Sequence, residues 1–442
     1  MRRFLNNGQR PPAESIRIEE WINYFSYHYP APKANLPFSV NTEVTECPWE
    51  PEHSLVRIGI KGKEIAPADR PNANLVFLID VSGSMNEPQK LPLVIQSLTL
   101  LTESLQKNDR IAITVYASSS GMVLPSTKIE DKAEILNALQ SLRAEGSTNG
   151  SMGIQLAYDI AKANFIPEGI NRVVLCTDGD FNVGITDQNK LVQLIEEKAK
   201  SGVFLSLYGF GMGNLNDAAL EKLADKGNGH YGYIDSEKEA RKTFVDRLSG
   251  NLQTIAKDVK IQVEFNPQHV AGYRLIGYEN RLLVAQDFNN DKIDAGEIGA
   301  GHCVTALYEL VPAGKTKELN SIDPLKYQLP SAPLKQRSDY RSELMTVKLR
   351  YKQPNGDQSA LIEVAILEAS KKSWKNSSDD TRFAAAVASL GMLLKDSPEK
   401  GKVDFKKISS WTDQSISSNQ KERQEFFQLI QKATLLLKES SG

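Results

Sequence analysis

Between residues 72 and 257 the chain alternates two kinds of segment. Stretches at 74–80, 110–117, 172–177 and 203–209 are apolar almost throughout and have strand length, and a shorter one follows at 230–234. Between them, 90–106, 131–142, 149–165, 187–200, 217–226 and 236–255 place apolar residues three and four apart, the helical period, with Pro92 in the first turn of one of them. Strands that are apolar on both faces and separated by amphipathic helices predict a parallel sheet covered on both sides. The block 72–257 is therefore expected to be an α/β unit with a doubly wound, mostly parallel sheet.

The period changes on either side of it. Segments 38–44 and 55–61 upstream, and 259–265, 273–278, 282–286, 304–311, 344–351 and 360–367 downstream, read as strands with no helices between them. Gln353-Pro354-Asn355-Gly356-Asp357 is a hairpin turn signal. The α/β block is thus expected as an insertion in an antiparallel β domain built from both flanks. Ile18, Trp21, Ile22 and Phe25 mark an N-terminal helix, and 381–395, 403–411 and 419–438 mark C-terminal ones. The expected division is 1–71 (N-terminal helix and strands), 72–257 (α/β), 258–370 (β) and 371–442 (helical), with 312–342 a long loop.

Composition narrows the function. Lys+Arg is 53 against Asp+Glu 55, a formal net charge of -2, which removes the electrostatic case for nucleic acid. No uncharged apolar run approaches the roughly 18 residues of a membrane span. Of the three cysteines, Cys176 lies in an apolar strand and reads as a small core residue, while Cys47 and Cys303 pair only if their segments meet. Met1-Arg2-Arg3-Phe4-Leu5 runs straight into ordered-looking sequence, so a targeting segment is expected upstream, with the cell envelope or periplasm the expected compartment and the cytoplasm the alternative.

The chemistry gathers at the strand ends of the α/β block. The first strand closes in Asp80-Val81-Ser82-Gly83-Ser84-Met85, a second loop carries Gly146-Ser147-Thr148-Asn149-Gly150, and a later strand ends in Thr177-Asp178-Gly179-Asp180. In doubly wound sheets these ends share one edge, where ligands bind. Carboxylate and hydroxyl oxygens without His or Cys suit a hard cation. Mg²⁺ is preferred, and Mn²⁺ and Ca²⁺ suit the same donors. With few carboxylates around it, such an ion keeps an open position for an outside anionic oxygen.

These three loops resemble the von Willebrand factor A domain, a Rossmann-like fold. The resemblance implies that Asp80, Ser82, Ser84, Thr148 and Asp178 are its five metal-ion-dependent adhesion site positions, with the hydroxyls on the metal and one or both aspartates acting through water. Arg17-Ile18-Glu19-Glu20-Trp21-Ile22-Asn23-Tyr24-Phe25, Cys47-Pro48-Trp49, Tyr273-Arg274-Leu275-Ile276-Gly277-Tyr278 and Arg382-Phe383-Ala384-Ala385-Ala386-Val387 are similar to bacterial YfbK-type proteins, a resemblance that covers nearly the whole chain and implies an upstream segment.

Other motifs carry less. Gly227-Asn228-Gly229-His230-Tyr231-Gly232 has dinucleotide-fingerprint spacing, but it follows a helix and opens a strand, the reverse of what phosphate binding needs. Asp287, Asn289 and Asp291 begin a candidate second metal loop of calcium type, which lacks the usual Gly and final Glu and otherwise reads as an acidic hairpin loop. The expected function is non-enzymatic: a Mg²⁺-dependent module that recruits an exposed Asp or Glu of a protein partner. The runner-up is a subunit partnering an AAA+ ATPase in a chaperone-like assembly. A phosphoryl-transfer enzyme using Asp80 ranks third, since Ser82 stands where a second Asp is needed. Asp80→Ala or Thr148→Ala is expected to abolish partner binding and leave stability nearly unchanged.

Overall fold

The computed structural model describes every residue except 34, 118–119, 147–150, 180–187, 212–216, 279–295, 315–339, 355, 357, 418–419 and 440–442, and the backbone alone at 67, 151–152, 188, 217–218 and 437–439. Its strands are β1 (Phe38–Glu46), β2 (Ser54–Gly62), β3 (Ala73–Asp80), β4 (Arg110–Tyr116), β5 (Ser120–Lys128), β6 (Ile170–Thr177), β7 (Phe204–Phe210), β8 (Tyr231–Ile234), β9 (Thr254–Phe265), β10 (Val270–Leu275), β11 (Ile298–Gly299), β12 (Cys303–Pro312), β13 (Glu343–Lys352) and β14 (Ser359–Leu367).

The α/β block holds a six-stranded sheet in the order β5-β4-β3-β6-β7-β8. All its pairs are parallel except β4 with β5. Strand β3 is buried on both faces, with Leu75, Phe77 and Ile79 in one core and Val76 and Leu78 in the other. The chain leaves β3 for β4 on one side and later returns to β6 on the other. The C-terminal end of β3 is therefore the switch point, the place where ligands bind in sheets of this kind.

The flanking strands join as expected. β2 pairs antiparallel with β1 and also with β12, which pairs in turn with β10. Strands from both sides of the α/β block thus share one sheet. A second sheet, β11-β9-β13-β14, packs on it through Val44, Val56 and Ile58 against Met345, Val347 and Ile366. The C-terminal helices Asp379–Lys395, Phe405–Asp413 and Lys421–Glu439 form their own core with the N-terminal helix Ile18–Tyr24. Phe25 meets Phe383 and Phe426 edge-on, with ring centroids 4.8 and 5.4 Å apart. The three cysteines are free thiols. Among the described residues no helix is long and apolar enough to cross a membrane.

The structure departs from the sequence reading in places. Strand β5 is unanticipated: it is an edge strand whose exposed Met122 and Val123 blur any two-residue alternation. The helix expected over 236–255 breaks into Glu237–Arg241, a π-turn at Lys242–Asp246 and Leu248–Leu252, and the chain is already β9 by Thr254. Gly250 lies against Gly299, where an added Cβ would come within 1.8 Å of the Gly250 carbonyl oxygen. The strand expected at 282–286 lies outside the described residues. The Gly227–Gly232 motif has a packing explanation: a Cβ on Gly229 would sit 1.7 Å from the Leu205 carbonyl oxygen, so the glycine admits the β7 backbone.

Glu43 on β1 anchors the C-terminal helices to the β domain. Its carboxylate accepts from the Ser378 amide at 3.0 Å, the Thr381 hydroxyl at 2.5 Å and Lys372 Nζ at 3.0 Å, and also from the Ser378 hydroxyl. Burial opposes the charge, but these donors outweigh it and pull the Glu43 pKa down to about 2. A depressed carboxyl pKa stabilises the fold above the unfolded-state value of about 4.3, and that contribution is lost as pH falls toward the folded value. It amounts to roughly 3 kcal/mol. Chemical denaturation should show Glu43→Gln losing about 1–3 kcal/mol at pH 7 and declining less steeply than wild type from pH 4.5 to pH 2. Parallel decline of the two proteins would contradict this role.

Candidate functional site

Strand register brings the candidate residues together. Asp80, the last residue of β3, lies opposite Tyr116 at the end of β4. Ile79 lies opposite Cys176, so Thr177 and Asp178 leave β6 at the level of Asp80. The Asp80–Met85 loop is pinned at both ends. Val81 donates its amide to the Tyr116 carbonyl at 3.0 Å, and the fully buried Met85 side chain anchors a single 3₁₀ turn in the core. The next loop is tied alongside, since Glu145 donates to the Val81 carbonyl at 2.7 Å and Gly83 to the Gly146 carbonyl at 2.9 Å. Thr148, which follows, lies outside the described residues, as do Asp180 and the Asp287, Asn289 and Asp291 loop.

Asp80 is only 2% exposed. Its Oδ1 accepts from the Ser82 amide at 2.9 Å, and its Oδ2 from the Tyr116 hydroxyl at 3.1 Å and the Thr177 hydroxyl at 3.4 Å. Burial raises the Asp80 pKa, the Ser82 hydrogen bonds pull it back, and the nearby Asp178 charge adds to the rise. Burial likewise holds the Tyr116 phenol protonated, so it remains a donor. The Ser82 and Ser84 hydroxyls stand 3.1 Å apart, Ser82 buried and Ser84 exposed. Asp178 pairs through Oδ2 with Lys90 Nζ at 3.0 Å.

The expectation that Asp80→Ala leaves stability nearly unchanged does not fit these bonds: the substitution would remove the buried acceptor of the Ser82 amide and of the Tyr116 and Thr177 hydroxyls, which should cost stability. Unsatisfied buried donors cost about 1–3 kcal/mol. Three participants were not singled out in the sequence: Tyr116, Thr177 and Lys90. For Tyr116 and Thr177, the available signal was their position at the ends of strands neighbouring Asp80. For Lys90 there was no local signal.

The donor set fits a small hard cation. Adjacent ligands of an octahedral ion at 2.0–2.1 Å stand about 3 Å apart, close to the 3.1 Å between the Ser82 and Ser84 hydroxyls. Asp178 already faces a cation, the Lys90 ammonium. Among the described residues no three His, Cys, Asp or Glu side chains form a cluster that could hold a metal ion.

Residues 74–247 match the von Willebrand factor type A domain, and residues 1–57 match a family described as von Willebrand factor. Residues 250–436 match the family described as "Uncharacterized protein YfbK, C-terminal". The Escherichia coli (strain K12) protein YfbK is 43% identical over 98% of this chain and 75% of its own length. The chain belongs to the YfbK family. Other relatives of this YfbK-family chain share less of it. The Synechocystis protein sll0103 is 28% identical over 49% of this chain and 50% of that protein. Human inter-alpha-trypsin inhibitor heavy chain H4 is 31% identical over 34% of this chain and 17% of that protein. A solved von Willebrand factor type A structure from Catenulispora acidiphila is 14% identical, with a TM-score of 0.44, over 87% of this chain and 88% of that one. The YfbK-family chain thus carries a von Willebrand A domain, in general a protein-interaction module.

The bonds to Asp80 make a measurable prediction. In EDTA, Tyr116→Phe should lower unfolding stability by about 1.5–3 kcal/mol, the worth of a hydrogen bond to a charged acceptor. Stability equal to wild type in a denaturant titration would show that the phenol does not support the carboxylate.

Proposed function

We propose that this protein is a metal-dependent protein-binding module. A divalent cation, Mg²⁺ in cells, is held at the β3 switch point by Ser82, Ser84 and Thr148, with Asp80 and Asp178 supplying negative charge directly or through water. The ion offers an open position to an Asp or Glu carboxylate of a protein partner. The observation that carries this reading is the pair of hydroxyls 3.1 Å apart just beyond the end of β3, beside the buried Asp80 carboxylate that holds the Ser82 amide. Asp80 already accepts three protein hydrogen bonds, which supports a role in orienting the Ser82–Ser84 loop and charging the site from behind. The role of von Willebrand A domains as interaction modules supports the partner half of the reading.

Ser84 gives the sharpest test, because it is exposed and its hydroxyl bonds only Ser82 among the described residues. Titration calorimetry with Mn²⁺ should find one ion per wild-type chain, with at least tenfold weaker binding for Ser84→Ala and Thr148→Ala. Stability of Ser84→Ala in EDTA should stay within about 0.5 kcal/mol of wild type, as for surface changes generally. Unchanged Mn²⁺ affinity in both variants would overturn the assignment.

A further inference from the structure

Lys90 stands immediately before the helix Leu91–Ser104, where a lysine would ordinarily extend into water. Instead it is 7% exposed. Its side chain turns back across the end of β7 and lies on Gly211, whose φ is +79°. A Cβ on Gly211 would fall 2.6 Å from Lys90 Cγ and 2.7 Å from Cε, so the stem runs where only glycine leaves room. The ammonium at the end of this channel meets three oxygens: the Ser84 carbonyl at 2.9 Å, Asp178 Oδ2 at 3.0 Å and Glu87 Oε1 at 3.2 Å. It thereby ties the Asp80–Met85 loop to the loop that follows β6.

We propose that Lys90 is a built-in counter-cation for Asp178 that lowers the affinity of the site for a divalent ion. The proposal rests on the metal-site reading above and adds its control. Asp80 and Asp178 together present two negative charges, and the Lys90 ammonium, shared between Asp178 and Glu87, sets a positive charge against them. An incoming cation then meets less attraction than it otherwise would, and it competes with the ammonium for Asp178. The same charge spares the two carboxylates from facing each other uncompensated when no ion is present. With an ion in place, Lys90 leaves the site one unit more positive, which favours the arrival of an anionic partner group. Lys90 thus shifts the site away from holding an ion alone and toward holding an ion together with a carboxylate.

The test is Mn²⁺ titration calorimetry on wild type, Lys90→Met, which keeps an apolar stem, and Lys90→Arg, which keeps the charge. Lys90→Met should bind about tenfold more tightly than wild type, and Lys90→Arg within about threefold of it. Equal or weaker binding by Lys90→Met would overturn the proposal, while ion uptake by wild type would leave the metal site standing. No uptake by any of the three would overturn the metal site itself and the proposal with it. Should Lys90→Met not fold, the ¹⁵N resonance of the wild-type Lys90 ammonium decides. Addition of Mg²⁺ should shift it as Asp178 is drawn away, and a resonance unmoved at saturating Mg²⁺ would reject the competition.

Discussion

A carboxylate at the end of a buried strand has to be compensated, since an uncompensated buried charge is costly. Asp80 is such a carboxylate, and its donors come from three places: its own loop, the end of β4 and the end of β6. Only a sheet with β3 in the middle, flanked by both strands in parallel register, delivers all three. The same requirement fixes where the Ser82 and Ser84 hydroxyls point, because the Ser82 amide that starts their turn is bonded to Asp80. Fold and candidate site are thus two sides of one constraint. The sheet is arranged so that Asp80 can be buried, and burying Asp80 sets the loop that carries the proposed ion ligands.

The β domain supplies a second, independent frame. Because β2 pairs with β12, the chain cannot complete this sheet until the α/β block and the strands after it have been made. Thr381, beside the N-terminus of the helix Asp379–Lys395, then meets Glu43 and Arg57 of β1 and β2 at 2.5 and 2.8 Å, which joins the C-terminal helices to the first two strands. The helix Lys421–Glu439 also reaches the α/β block, where Glu422 pairs with Lys242 at 2.9 Å and Glu425 with Lys238.

Much of this was legible in the sequence, for identifiable reasons. The convergence of Asp80, Ser82 and Ser84 could be read from their alternate spacing at a strand end, and β3, β4, β6 and β7 because burial on both faces leaves continuous apolar runs. Strand β5 was hidden by its exposed edge position, where apolar alternation is not required. The break in the 236–255 helix is followed by a close approach between Gly250 and Gly299, some fifty positions apart, and no local pattern records that contact. Periodicity marked the apolar face of the Ile18–Tyr24 helix without saying that the C-terminal helices would cover it. Lys90 was the least visible of all. A lysine after a polar turn reads as solvated, and only the Gly211 channel, contributed from over a hundred residues away, turns it inward.

The central claim is that the β3 switch point is a hard-cation site formed by these three loops. Anomalous diffraction from crystals soaked in Mn²⁺ tests it most directly, because it locates the ion without relying on a partner or an activity. The account predicts one strong anomalous peak between the loops of Ser82, Thr148 and Asp178, with the Ser82 and Ser84 hydroxyls in its coordination shell. A peak elsewhere in the molecule and none between these loops would contradict it.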